Sequence, residues 1–325
     1  IKSTARCGPN GGTLKMPNYI TSVGQLLGSE SAKLPAAVLY GENINLGSHI
    51  SGLTKHLKAP EGGRLLNVGN CEATHCGAGF GMMMNGVNAV LFAKQLDFML
   101  LGVDHFANTY NFIRCLPESP RGSFTIVTIV CDQGLQGPQS SFNGLADICS
   151  LARVPGYTIT NNQDSAHILK HQLGKPGFRF ITLGQRLFST EFPSLDLVYA
   201  AEDSSLFQYT EGDAVTIVCF NFSLPHGLEL SQKCLARGMK ASLFSANYVP
   251  DCDWARIRAS ASRTKRLVVI DDSKSAHLPG HALLHEVGQA FPDCKRLALT
   301  RVGKPEFGVC SDRMDIDFDA VLSQL

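Results

Sequence analysis

Short apolar runs recur along the chain, with amphipathic stretches between them. A first series of strand-sized runs is Ala37–Tyr40, Ala89–Phe92, Phe124–Cys131, Tyr157–Thr160 and Phe178–Leu183. A second follows at Ala214–Cys219, Lys240–Phe244, Arg266–Ile270 and Arg296–Thr300. Their hydrophobicity is continuous rather than alternating, the mark of strands covered on both faces, as in parallel sheets. Between them, Asp164–Leu173 and Leu228–Arg237 carry apolar positions at helical spacing. Gly238 stands where a helix C-terminus favours glycine. Strands alternating with helices, twice over, predict two three-layer α/β domains with mainly parallel sheets. The polar, poorly periodic stretch 189–212, with Pro193 and the turn signal Glu211-Gly-Asp213, is the predicted connector. It divides the chain into domains at 1–188 and 213–325, both within the usual size range.

Composition narrows the function classes. Of 325 residues, 44% are apolar and 18% charged, and the net charge is +1. That balance gives no electrostatic footprint for nucleic acid or for an anionic membrane. The longest apolar runs are strand-sized, short of the roughly 20 residues a membrane span needs. Residues 1–12 carry no apolar core of the signal-peptide kind. Cysteines are scattered from Cys7 to Cys310 without a C-x-x-C pair, the closest two being Cys71 and Cys76. A zinc site shows paired spacing, and a disulfide scaffold is short and cysteine-dense. Cys131 and Cys219 lie inside apolar strands, where cysteine acts as a small hydrophobe. Reduced thiols and a cytoplasmic setting are expected.

The segment Asn67-Val-Gly-Asn-Cys-Glu-Ala-Thr-His-Cys-Gly-Ala-Gly-Phe-Gly81 places one carboxylate, Glu72, where a strand or loop hands over to a small-residue helix. Burying a charge is costly unless something pairs with it, so either the chain tolerates a poor position or Glu72 has a partner that the sequence does not contain. Ala73, Gly77 and Gly81 recur every four residues and leave one helix face nearly bare, although each glycine costs about 1 kcal/mol relative to alanine. A bare face serves either close packing within the domain or the docking of a second chain. The spacing Gly77-x-Gly79-x-Gly81 is not G-x-G-x-x-G, which disfavours a dinucleotide. His75, one helical turn after Glu72, is a candidate to face the same site. His277, His281 and His285 recur every four residues but are interrupted by Pro279 and Gly280, and are expected to be ordinary histidines rather than metal ligands.

Downstream, Leu96-Asp-Phe98 leads into Asp104-His-Phe-Ala-Asn108. Further motifs are Gly41-Glu-Asn43, Leu53-Thr-Lys-His-Leu57, Arg153-Val-Pro-Gly156, Glu211-Gly-Asp-Ala-Val-Thr-Ile-Val218 and Arg266-Leu-Val-Val-Ile-Asp-Asp272. With Glu72 and Phe98, and in this order, they span about residues 36 to 302. Over that span the chain resembles the beta subunits of thiamine-diphosphate-dependent first components of 2-oxoacid dehydrogenases, and their transketolase-like relatives. The resemblance implies a pyrimidine-binding domain followed by a transketolase-type C-terminal domain. It implies thiamine diphosphate as cofactor, with Glu72 hydrogen-bonding a pyrimidine ring nitrogen and Phe98 stacking on the aminopyrimidine. In the family that hydrogen bond promotes proton removal from the thiazolium carbon, and the cofactor then serves as electron sink. Such a carboxyl belongs in a dry site that raises its proton affinity. Asp104 and Asn108, one turn apart, are expected to fix structure or a subunit interface, and His105 to be structural.

Two departures shape the expected function. In the family a Gly-Asp-Gly motif and a later Asn hold Mg²⁺ and the diphosphate through oxygen ligands, and no Gly-Asp-Gly occurs here. The resemblance therefore implies an alpha-type partner that carries the diphosphate and Mg²⁺ half, an α2β2 heterotetramer, and no metal ligand on this chain. The family's glycine-rich loop also carries histidine, whereas Asp132-Gln-Gly-Leu-Gln-Gly-Pro-Gln-Ser-Ser-Phe-Asn143 has none. Gln139, Ser140, Ser141 and Asn143 become the substrate-side candidates; they orient a polar substrate but are poor acid–base groups. The expected reaction cleaves or forms a C–C bond next to a carbonyl, as in 2-oxoacid decarboxylation with acyl transfer. The alternatives are a split transketolase subunit moving a two-carbon ketol unit, and a non-catalytic structural subunit.

Overall fold

A computed structural model describes residues 18–132, 142–191, 195–249, 252–275, 277–301 and 314–325. The first half runs α1 (Tyr19–Ser31), β1 (Ala37–Gly41), β2 (Arg64–Asn67), α2 (Glu72–Met84), β3 (Asn88–Ala93) and α3 (Tyr110–Arg114). It continues with β4 (Ser123–Val130), α4 (Leu145–Ala152), β5 (Gly156–Ile159), α5 (Asn162–Gln172) and β6 (Gly177–Gly184). The second half runs β7 (Tyr199–Ala200), β8 (Leu206–Thr210), β9 (Val215–Phe220), α6 (Leu224–Ala236), β10 (Ala241–Ala246) and β11 (Tyr248–Val249). It ends with α7 (Ala255–Thr264), β12 (Arg266–Asp271), α8 (Pro279–Ala290), β13 (Lys295–Thr300) and α9 (Phe318–Ser323). A 3₁₀ segment, Leu96–Gly102, and a π-helical turn, His105–Thr109, join β3 to α3.

The strands make two sheets, ordered β11-β5-β6-β4-β3-β1-β2 and β13-β12-β9-β10-β8-β7. Pairing is parallel except at β11–β5, β8–β10 and β7–β8. Every residue of β4, β9 and β10 is buried, so these strands are covered on both faces. That is the two-domain α/β architecture which the continuous apolar runs predict. All nine expected strands are present. Gly238 has φ +77° just past α6, where a left-handed residue ends a helix without strain.

The differences have physical causes. β2 is an edge strand with three of its four residues exposed, so it shows no apolar run. β7 and β8 fall inside the expected connector 189–212 and instead extend the second sheet antiparallel from β10. Polar Gln208 hid β8; it is 2% exposed, and its Oε1 accepts from Arg256 Nε at 2.7 Å. The second domain thus begins before residue 213, and it also lends β11 to the first sheet, Tyr248 pairing with Tyr157.

One charge lies in the middle of an apolar strand. Arg179 on β6 is 3% exposed, and its guanidinium donates to the carbonyls of Gln172 (3.0 Å), Pro176 (2.7 Å) and Lys175. Carbonyl oxygens replace the water the guanidinium loses, which is the condition for burying it.

The two sheets meet in a buried polar cluster. Arg186, after β6, ion-pairs with Asp132 (Nη1 to Oδ2, 3.4 Å) and with Asp272. Arg301, after β13, reaches Asp132 Oδ2 at 3.2 Å and the Asp272 carbonyl at 2.5 Å. Asn143 donates to Asp132 Oδ2 (2.9 Å) and the Asp272 carbonyl (3.1 Å), and accepts from Asn221 at 2.8 Å. Both carboxylates are about fully buried, at 1% and 0% exposure. Removing one partner of such a cluster strands a buried charge. Arg186→Met is therefore expected to lower stability by about 3–5 kcal/mol, read as a shift of the urea unfolding midpoint. A loss below about 1 kcal/mol would mean that the seam is held elsewhere.

Candidate active site

In an open α/β sheet, ligands bind outside the carboxyl ends of the strands, where the winding direction reverses. In the first sheet β1 is followed by β2 on one side, whereas β3 is followed by β4 on the other. The crevice thus opens between β1 and β3, and Glu42 and Lys94 are the residues that immediately follow these strands. A solvent-open cleft of about 340 Å³ lies there, lined by Glu42, Glu72, His75, Lys94, Phe98 and Met99 among others. Glu72, His75 and Phe98, all candidates from the sequence, line this one cleft.

Helix α2 delivers Glu72 and His75. Its inner face is fixed by Cys76, Phe80 and Met83, all at most 2% exposed. Phe80 packs edge-on against Phe124 of β4 and Phe178 of β6, with ring centroids 5.0 and 4.9 Å away. Aromatic pairs of this geometry add about 0.5–1.5 kcal/mol each beyond burial. Gly79 lets the helix sit this close, since a Cβ there would stand 2.4 Å from the Phe124 ring. A Cβ at Gly77 would lie 3.2 Å from the His105 ring, but one at Gly81 would meet nothing within 4 Å. Ala73, Thr74, Ala78 and Gly81 are exposed. Gly77 and Gly79 pack inside the domain, as the first reading of the bare face has it, and Gly81 lies on an open face.

Glu72 is the first residue of α2, and no side chain caps that turn. The positive end of the helix favours a carboxylate here by about 0.3–1 kcal/mol. The side chain is partly buried rather than enclosed, so this chain alone does not supply the dry site expected for it. His75 is also partly buried, and its carbonyl accepts the Tyr40 hydroxyl at 2.8 Å. Burial holds the His75 imidazole below its usual value, and the charge of Glu72 opposes that shift. Burial also pushes the neighbouring Cys76 thiol up to about 12, so it stays protonated and inert. Phe98, in the 3₁₀ segment, presents a partly buried ring to the cleft.

The other expectations are placed elsewhere. Asn143 is 0% exposed with its amide committed to the domain seam, so it is not available to a substrate. Gln139, Ser140 and Ser141 lie outside the described residues. Asn108 donates to Asp104 at 2.7 Å on the surface, and His105 bonds Thr109 at 3.0 Å. His277 precedes α8, leaving only His281 and His285 on that helix. Glu42, Asn70 and Lys94 line the cleft and were not singled out as site residues. Their signal was positional: Glu42 and Lys94 are the first polar residues after two adjacent buried strands.

A flat heteroaromatic ring with a protonatable nitrogen fits this lining. Glu72 can share a proton with it, Phe98 can stack on it, and Leu91, Phe92 and Met99 make an apolar floor. Two carboxylates, Glu42 and Glu72, face one cation, Lys94, a balance that suits a basic heterocycle and not a diphosphate.

No family model matches the chain. It is 22% identical over 264 residues to the pyruvate dehydrogenase E1 component subunit beta-1, mitochondrial, of Arabidopsis thaliana, covering 78% of this chain and 70% of that one. It is 20% identical over 265 residues to the acetoin:2,6-dichlorophenolindophenol oxidoreductase subunit beta of Cupriavidus necator, covering 78% of each. Among solved structures it matches a split gene transketolase, an inactive beta4 tetramer, with TM-score 0.66 and 17% identity over 86% of this chain and 87% of that one. The Campylobacter jejuni transketolase matches with TM-score 0.62 and 11% identity, over 95% of this chain and 45% of that one.

Burial makes a checkable statement about the site: the His75 ring should titrate below 6.5 in an NMR pH series. Glu72→Gln removes the charge that raises it, so the midpoint should fall further. A midpoint above 6.5 in the wild type would contradict the burial account. In sequence the chain resembles the beta subunits of pyruvate dehydrogenase-type first components, and in fold it is transketolase-like.

Proposed function

We propose that the chain is the beta-type subunit of a thiamine-diphosphate-dependent enzyme, holding the pyrimidine end of the cofactor and working with an alpha-type partner. The observation that carries this reading is the meeting of Glu72, at the first turn of α2, with Phe98 in the cleft at the β1/β3 crevice. When bound, the cofactor supplies a carbon nucleophile and an electron sink for a C–C bond next to a carbonyl. Glu72 holds a proton at the pyrimidine ring nitrogen and so sets which tautomer is present. Phe98 fixes the plane of the ring. His75, kept neutral by burial, can accept or donate a hydrogen bond beside them without adding charge.

The proposed partner brings the diphosphate and Mg²⁺ ligands and closes the cleft. Support comes from what this chain leaves uncovered. The small-residue face of α2 is exposed, as are Leu100 (50%), Leu101 (65%) and Phe112 (69%) in the segments that follow Phe98. Apolar surface of this kind marks an interaction face. The split transketolase that the fold resembles is itself an inactive tetramer of beta chains, in line with a subunit that needs its partner. The α2β2 stoichiometry extends the same reading. For the reaction we propose 2-oxoacid decarboxylation with acyl transfer; ketol transfer between sugars is the second reading, favoured by that likeness.

Co-expression with the alpha-type partner, followed by a donor panel of pyruvate, branched 2-oxoacids and ketose phosphates, tests both. Glu72→Gln in the assembled enzyme is expected to lower kcat by at least about 10²-fold while leaving assembly intact. Wild-type turnover in that variant removes Glu72 from the chemistry, and turnover by this chain alone removes the need for a partner.

The interface has its own check. Gly81→Leu places its side chain in open space on α2, so the isolated chain should unfold at a urea midpoint no lower than the wild type's, with up to about 1 kcal/mol gained in helix propensity. Its affinity for the partner should fall at least about tenfold by sedimentation or native mass spectrometry, as expected for a clash in a packed interface. Undiminished affinity would place the partner on another face.

A further inference from the structure

Helix α5 carries His167 and His171, four residues apart and so on one face of the helix. Their ring centroids are 4.3 Å apart, and the ring planes are tilted by 49°. Each ring is tied through its Nδ1. His171 Nδ1 lies 2.9 Å from the His167 carbonyl, and His167 Nδ1 lies 2.9 Å from the Ser204 hydroxyl. A carbonyl only accepts, so His171 carries its proton on Nδ1 and leaves the Nε2 lone pair bare. Ser204 is fully buried, and its hydroxyl can accept from His167 in the same way. The ring of Phe207, edge-on to His167 at 5.5 Å, fixes the plane of that imidazole.

Metal-ligating imidazoles have this arrangement: an oxygen acceptor holds one ring N–H, and the other nitrogen is left for the ion. A metal–nitrogen bond of about 2.0–2.1 Å puts the ion about 3.2 Å from each ring centre, so two adjacent ligands hold their rings roughly 4.5 Å apart. The two rings of α5 are already near that spacing. Burial, the neighbouring His171 and Lys170 hold the His167 imidazole below its usual value, against the charge of Asp203. It is therefore neutral at neutral pH, the form that binds a metal.

We propose that His167 and His171 form a two-imidazole site for a divalent transition-metal ion, Ni²⁺, Cu²⁺ or Zn²⁺, bound through both Nε2 atoms with water completing its coordination. Imidazole suits these ions, whereas Mg²⁺ and Ca²⁺ want oxygen ligands. Among the described residues no third histidine, cysteine or carboxylate joins the pair, and His171 is exposed, so water has access to the ion. Helix α5 belongs to the first domain, and Ser204 to the turn between β7 and β8 of the second sheet. Gln172 Nε2 also donates to the Asp203 carbonyl of that turn, at 2.9 Å. An ion on this pair thus fixes the imidazole through which the helix holds the turn. Neither histidine lines the Glu72 cleft, so the site does not depend on the thiamine reading.

Calorimetric titration of the untagged full chain with NiCl₂, at neutral pH in a non-chelating buffer, tests it, with MgCl₂ as the hard cation. Saturable Ni²⁺ binding is expected, at least about tenfold tighter in the wild type than in His171→Gln. That variant alters an exposed side chain, so it should fold as the wild type does. His281 and His285 are also four apart, on α8, and exposed; replacing both with glutamine should leave the affinity unchanged. In an NMR titration, paramagnetic Ni²⁺ should broaden the ring signals of His167 and His171 before those of other histidines. Equal affinity in the wild type and His171→Gln overturns the proposal. So does Mg²⁺ binding on equal terms, loss of binding in the α8 double variant, or earlier broadening at other histidines.

Discussion

The guanidinium of Arg186 lies between two buried carboxylates, Asp132 beyond the end of β4 and Asp272 beyond the end of β12, and the placement of one sheet against the other depends on that meeting. Neither carboxylate could be buried alone, since desolvating an unpaired charge costs several kcal/mol. Arg301 adds a second cation from the far strand, and Asn143 and Asn221 add hydrogen bonds to Asp132 and Asp272. A charge network with this many fixed partners tolerates little rotation or slip. A second contact works the same way. Asp164 accepts from Thr160 and Asn161 in its own domain and from Asn247 of the other at 2.7 Å, beside the β11–β5 pairing.

Holding the sheets this way has a consequence for where ligands can go. Both sheets reverse their winding direction once among strands buried on both faces, and each reversal opens a crevice at carboxyl ends. In the first sheet the crevice faces outward and holds Glu72, His75 and Phe98. In the second it faces α4 of the neighbouring domain and holds Asp271. The same topological rule gives a solvent-open cleft in both cases. The charge cluster brings the second sheet's carboxyl ends against the first domain.

Much of this was legible in the chain. The buried strands announce themselves as unbroken apolar runs because both faces of a central parallel strand must be dry. Glu72 stood out as a lone acid ahead of a small-residue helix and His75 as its neighbour one turn on, while Phe98 was named only through the family resemblance; the fold brings the three to one cleft. What escaped was whatever depends on tertiary pairing. β8 carries Gln208, which is buried only because Arg256 meets it. Asn143 looked like a loop residue open to substrate, but its value lies in joining Asp132 to Asp272, more than a hundred positions away. Arg179 interrupts an apolar strand, and although the carbonyls that satisfy it, of Gln172, Lys175 and Pro176, lie just before it in sequence, only the folded turn makes them converge on the guanidinium. Glu42 and Lys94 follow strands that were recognised, yet only the sheet order makes those strands neighbours.

The two faces of α2 bring these strands of reasoning together. A helix that had only to fill a core would place large side chains inward and charged ones outward. Here the inner face carries Cys76, Phe80 and Met83, but the outer face carries Ala73, Thr74, Ala78 and Gly81, neither charged nor bulky. Small residues on an exposed face give up helix propensity, about 1 kcal/mol at a glycine, and return nothing to the isolated chain. They do let another backbone approach the turn that carries Glu72. On the proposed reading that approach removes water from a carboxylate which this chain leaves partly solvated. The acid and the bare face are then one device: the second chain that packs on the small residues also makes the site dry enough for Glu72 to hold its proton.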